Sequence, residues 1–266
     1  MSYRTVFSVI NEHSGSTVTA RYAIALAAAC KAELVLYAAH AEGTGETILR
    51  HTEHHLEHLF TTAFDLGIPV RRISEVGSFT QLLPKRVKAE GAELVFYPQP
   101  PHESYGAALQ QNTVHRLLRS IEADLAVMRI MHMGKPHPHR ILVPLGGIIN
   151  DRKRRVLFLT ALARSFHAQI TLFHRPDSGK QGIPGDFALV RNELQRHHLT
   201  VLERSGVGEI AKAIALEAIS HHNDLIVLGA SERSILRRLF AENPAGDVMN
   251  RPPCNAILFR AHPGSP

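Results

Sequence analysis

The sequence predicts an α/β protein of two tandem doubly wound domains, each with a five-stranded, mainly parallel sheet. Three observations predict it. Short apolar runs alternate with segments of helical periodicity. The pattern passes through a Pro/His/Gly-rich stretch and then starts again. The two passes align with each other at nearly constant offset.

In the first pass, Val6–Ile10 reads as a strand and Ala20–Ala29 as a helix of small residues, with Ser14, Ser16 and Thr17 as starts. Leu34–Tyr37 is a second strand. Helical spacing then runs from Ile48 to Phe64 and closes at Gly67. Val70–Ile73 is a third strand. Phe79–Lys88 is helical, with Pro84 expected to shorten or kink it. Leu94–Tyr97, Ala107–Arg119 and Leu125–Ile130 complete the pass as strand, helix and strand.

After Met131–His139 the second pass begins. Arg140–Leu145 echoes Arg4–Val9, and Ala168–Phe173 echoes Ala32–Tyr37, both at an offset of 136. Later the offset is 131: Val70 meets Val201, Gly77 meets Gly208, Leu94 meets Leu225 and Arg129 meets Arg260. The domains expected are 1–132 and 140–262, with 133–139 as linker.

Composition narrows the classes. The chain has 266 residues, 44% of them hydrophobic and 20% charged, enough for two ordinary cores. No apolar run reaches the ~18 residues of a membrane span, so no membrane insertion is expected. The N-terminal residues read as a strand, not a secretory leader. Two cysteines make no disulfide framework: Cys30 reads as core, and Cys254 has no nearby base to activate it. The net charge of +6 is scattered, with short clusters at Arg152–Arg155 and Arg237–Arg238 that read as solvated surface, so no nucleic-acid partner is expected. These features point to the cytoplasm.

One stretch carries the strongest motif. Leu225–Leu228 is an apolar run ended by Gly229, and Asn243-Pro244 is a helix start. Together with the opening strand Ile141–Leu145, the Val207-Gly208 pair and the closing Pro253–Arg260, it makes each half resemble a universal stress protein domain. The resemblance implies an intramolecular pseudo-dimer of the two halves, and leaves a homodimer or a further protein partner open. It also implies an adenine-nucleotide site, with ATP the family's usual ligand, at Leu145, Gly146, Val207, Gly208, Gly229, Ala230, Ser231, Arg233, Ser234 and Asn243.

The family's phosphate loop, G-x2-G-x9-G-[ST], is only partly kept. Gly229 fits, but Glu232 and Glu242 stand at the next two glycines, Asn243 at the Ser/Thr, and Gly146 where the first strand would end in Asp. Two carboxylates oppose a triphosphate, and Pro244 removes an N–H from the helix start. In the first half Pro98 stands at the glycine position, Asn11 at the Asp and Asn112-Thr113 at the Ser/Thr. That half is expected to be a structural partner.

His51, His54, His55 and His58 share one helix face at i, i+3, i+4 and i+7, a spacing that could hold Zn²⁺ or Ni²⁺. No G-x-S-x-G elbow, P-loop, C-x-x-C or H-E-x-x-H is present, so no enzyme is expected. The reading is a cytosolic stress-response or regulatory protein, with weak nucleotide binding in the second domain. The alternatives are a nucleotide-independent module acting on a partner such as a membrane transporter, or a metal-responsive protein using the histidine face.

Overall fold

In the computed structural model, residues 2–99, 107–133, 137–145, 151–174, 185–229 and 252–262 are described. They divide into two compact units, one within residues 1–136 and joined by His262, the other within 137–261.

The first unit runs β1 (Thr5–Val9), α1 (Ser14–Cys30), β2 (Glu33–His40), α2 (Glu46–Asp65), β3 (Val70–Val76), α3 (Phe79–Ala89), β4 (Leu94–Pro98), α4 (Ala107–Ser120) and β5 (Asp124–Arg129). Its strand order is β3-β2-β1-β4-β5, and every pairing is parallel. The second unit runs β6 (Arg140–Pro144), α5 (Arg152–Phe166), β7 (Gln169–His174), α6 (Gly185–Arg196), β8 (Val201–Ser205), α7 (Ile210–Ser220), β9 (Leu225–Gly229) and β10 (Asn255–Arg260). Its order, β8-β7-β6-β9-β10, is the same arrangement, again all parallel.

The sequence dictates which strands are central. β1, β4, β5, β6 and β9 read almost wholly apolar and are buried along their length, as strands covered on both faces must be. β3 and β8 carry charges and are mostly exposed, which suits sheet edges.

One strand-start clamp is repeated in both units. The Glu93 carboxylate accepts the Arg4 backbone N–H at 2.7 Å. At the corresponding place the Asp224 carboxylate accepts the N–H groups of His139 and Arg140 at 3.0 and 3.2 Å. Asp124, fully buried at the start of β5, accepts the Tyr3 hydroxyl at 2.7 Å and the His262 N–H at 2.8 Å.

Three expectations are corrected. α3 continues through Pro84 to Ala89, so the helix is not shortened there, and the missing N–H costs it one intrahelical bond. Cys30 is half-buried rather than core, because it closes the last turn of α1. Arg155 is not on a solvated face: only 6% of it is exposed.

Candidate functional site

Doubly wound sheets bind ligands where the strand order reverses, beyond the carboxyl ends of the strands. In the first unit that point lies between β1 and β4, and a cleft of about 560 Å³ opens there. Asn11, His13, Ser78, Phe79, Tyr97 and Thr113 are among its lining residues.

Local chemistry fixes this wall. Beyond β1, the Asn11 side-chain oxygen accepts the His13 N–H at 3.0 Å, turning the chain into α1. The Asn11 backbone carbonyl accepts the Ser16 hydroxyl at 3.0 Å and lies 2.9 Å from His55 Nδ1. Among the described residues, the Asn11 NH₂ has no partner. On the opposite side β3 ends at Gly77, whose φ of +141° would strain any other residue and whose N–H donates to the His40 carbonyl. Ser78 then starts α3. The Phe79 ring lies 5.8 Å from the Tyr97 ring, forming an aromatic wall.

The electrostatics are mixed. α1 and α3 both begin at the cleft, and neither His13 nor Ser78 caps its helix with a side chain. Ser16 and Gln81 donate their N–H groups to the His13 and Ser78 carbonyls, so it is the N–H groups just before them that favour an electronegative ligand group. Among the described lining residues there is no Lys or Arg, and Glu12 is the carboxylate.

A partly buried network stiffens the β3 side. Arg86 of α3 pairs with Glu75 and with Glu90. The Arg86 hydrogen bond holds the Glu75 carboxyl below its ordinary range; burial opposes this and Tyr37 reinforces it. Burial pushes the Tyr37 hydroxyl far up, and Glu75 adds to the rise. The sign for stability follows. Glu75 contributes fully above the unfolded carboxylate value of about 4.3 and loses its contribution as pH falls through its depressed folded value. Acid unfolding followed by circular dichroism should therefore show a steeper loss below about pH 4 in the wild type than in Glu75→Gln.

The second unit differs. Leu145, at the end of β6, is buried; Val207 is 88% exposed, and Gly208 takes a φ of +86°. Gly229 ends β9. A Cβ placed on Gly229 would lie 1.9 Å from Arg155 Nη2 and 2.5 Å from its Cζ. Arg155 of α5 thus lays its guanidinium on the glycine at this unit's own strand-order reversal, between β6 and β9. Sequence reading missed Arg155; the signal was an arginine in the helix that follows β6, opposite a glycine. Gly146, Ala230, Ser231, Arg233, Ser234 and Asn243 lie outside the described residues.

Among the described residues, the histidine face of α2 gathers no further metal-ligating side chains. His51, His54 and His58 are exposed on α2, while His55 turns to the Asn11 carbonyl. Among the described residues no three His, Cys, Asp or Glu side chains converge on a common point. A single helix face presents its imidazoles side by side, and among the described residues no second element brings a closing ligand.

Residues 138–260 match the model of the universal stress protein family. A comparison with curated proteins finds no match. Among solved structures, the chain is similar to a universal stress protein from Archaeoglobus fulgidus DSM 4304, with TM-score 0.66 and 10% identity, covering 98% of this chain and 97% of that one. It is similar to a functionally unknown protein from Pseudomonas aeruginosa PAO1, with TM-score 0.62, 14% identity and coverages of 98% and 93%. It is also similar to the cytoplasmic domain of a prokaryotic cation chloride cotransporter, with TM-score 0.61, 9% identity and coverages of 100% and 98%. At these identities the likeness is one of fold. Among the described residues, no helix is long and apolar enough to cross a membrane.

Proposed function

From a chain whose residues 138–260 form a universal stress protein domain, we propose a non-catalytic, cytosolic regulatory protein that senses an adenine nucleoside or nucleotide in its first unit. The carrying observation is the cleft of about 560 Å³ at the strand-order reversal of that unit. Its volume falls within the range of small-molecule sites, about 300–1,000 Å³. The Asn11 NH₂ supplies donors for a base or ribose, and the Phe79–Tyr97 wall supplies an aromatic surface. The open starts of α1 and α3 supply N–H groups for an oxygen-rich ligand. With no Lys or Arg among the described lining residues, adenosine or AMP fits better than ATP.

Isothermal titration with adenosine, AMP, ADP and ATP, with and without Mg²⁺, tests this. Affinity is expected to fall from AMP to ATP. Asn11→Leu should weaken the best ligand by about five- to tenfold, the worth of one lost hydrogen bond. No heat with any of the four removes the reading. A second binding component whose affinity Asn11→Leu leaves unaltered would report weak binding around Gly229 in the second unit.

The likeness over the full chain to a cotransporter's cytoplasmic domain favours a second reading, a module that acts on a membrane transporter. Co-purification of a transporter with the tagged chain would support it. The pseudo-dimeric pairing of the halves belongs to either reading, and small-angle scattering tests it.

A further inference from the structure

The helices of both units hand over to the next strand by the same device. α1, α2 and α3 are followed by left-handed residues Lys31, Gly67 and Gly91. Their N–H groups donate to carbonyls three residues back, and the next N–H donates five back. In the second unit the corresponding residues after α5, α6 and α7 are His167, His198 and His222, with φ of 52°, 59° and 49°. Glycine costs nothing in this conformation; a histidine is strained in it. Two glycines of one repeat are thus replaced in the other by the same costly residue. Strain held at equivalent positions points to a use for the side chain.

These three are not alone. His137 and His139 precede β6, His197 precedes β8 and His221 precedes β9. Because the strands are parallel, all seven lie at one end of the second unit. The corresponding turns of the first unit, residues 31–32, 66–69 and 90–93, hold no histidine.

Hydrogen bonds tie the turns into one row. Arg140 Nη1 donates to the His221 carbonyl, the Gln169 N–H to the His139 carbonyl, and Arg164 Nη2 to the His197 carbonyl. The order β9-β6-β7-β8 makes these strands neighbours, so the row spans about 15 Å at the usual strand spacing. His139, His167, His197, His198 and His222 are exposed. The His137 ring lies tilted against that of Phe166, 5.8 Å between centroids, and His221 Nδ1 lies 3.0 Å from Glu217.

We propose that this row is an acid-activated docking surface for an anionic lipid bilayer. Histidine is the side chain that gains charge between about pH 8 and 5. Arg140, Arg164 and Arg196 already stand among the imidazoles. Among the described residues, Glu217 lies 3.0 Å from His221 Nδ1 and 4.0 Å from Arg204 Nε, and Asp224 accepts the His139 and Arg140 N–H groups. The charges are spread along a row, and no three ligands converge among the described residues, so an extended negative surface fits better than a single ion. A bilayer rich in anionic lipid carries a negative potential, which concentrates protons and would charge the row as it approaches. Ile219, 57% exposed, accepts the His222 N–H and places an apolar side chain beside the row for the headgroup boundary.

The test sediments the full chain with vesicles of phosphatidylcholine alone or with about one-third phosphatidylserine, at about pH 5.5 and 7.5. The bound fraction on anionic vesicles should be at least tenfold greater at the lower pH, vanish in high salt, and be absent on phosphatidylcholine. The variant His139→Gln/His197→Gln/His198→Gly/His222→Gly should lose that binding while melting no lower than wild type, because glycine suits two of the positions. Equal binding at both pH values, binding to neutral vesicles, undiminished binding by the variant, or no binding overturns the proposal. Acid-dependent capture by soluble polyglutamate without vesicle binding assigns the row to an acidic protein and overturns it as well.

Discussion

Phe158→Ala is expected to destabilise the second unit by about 3–5 kcal/mol, the usual cost of deleting a buried aromatic side chain. Phe158 of α5 is fully buried, and its ring stacks on that of Phe259 of β10 at 4.2 Å with an interplanar angle of 10°. β10 pairs with β9 from Asn255 to Phe259, so this ring pair ties the covering helix to the last strand of the unit. Removing one ring leaves a cavity against the other, and neither main-chain element can close it without breaking the ladder. Urea unfolding followed by circular dichroism measures the loss. Phe64→Ala is the control: Phe64 of α2 is 67% exposed beside Phe60, and its removal should change stability by less than about 0.5 kcal/mol. Equal midpoints for the two variants would show that the Phe158–Phe259 contact does not organise the unit.

The fold was legible because its signals are redundant. β4 and β9 are apolar runs between turn residues, and the second pass repeats the first at a fixed offset, so a weak signal in one half is supported by the other. Pro84 shows the limit of a local rule: one missing N–H is outweighed by Leu83 and Val87, both buried from the same helix. The site was less legible, for a physical reason. The motif around Gly229 drew attention to the second half, yet the cleft described here lies in the first, where Asn11, Gly77 and Tyr97 come from three separate strand ends. Spacing along one segment cannot reveal a site assembled across several. The histidines show the same thing. Four at helical spacing on α2 formed an obvious pattern and do not converge, whereas seven dispersed over four turns meet only because the strands are parallel. Arg155 sat in a basic cluster whose neighbours are more exposed, and nothing local marks it as the buried member.

Gly229→Ala should cost the second unit about 3 kcal/mol, the upper end of the range for overpacking a core. The added methyl would lie 1.9 Å from Arg155 Nη2, 2.5 Å from Cζ and 2.8 Å from Nη1. The long side chain could swing away, but Arg155 is only 6% exposed, and moving a buried guanidinium is itself costly. The repeat shows the alternative solution. Where the second unit has Arg155 and Gly229, the first has Thr19 and Pro98. Thr19 is fully buried and spends its hydroxyl on the Gly15 carbonyl of its own helix. The short side chain goes with the bulkier strand end, and the long one goes with glycine. Glycine at this position is thus accounted for by Arg155, without a phosphate. A double-mutant cycle decides between the two reasons. If Arg155 is the reason, Arg155→Thr should make Gly229→Ala nearly neutral, with a coupling energy above about 1.5 kcal/mol for groups in direct contact. If the glycine instead serves a nucleotide, Gly229→Ala should leave the unfolding midpoint unchanged and abolish any nucleotide-binding component whose affinity Asn11→Leu leaves unaltered. The two outcomes are exclusive in their stability readout, so urea unfolding of the four proteins in the cycle distinguishes a packing glycine from a ligand-binding one.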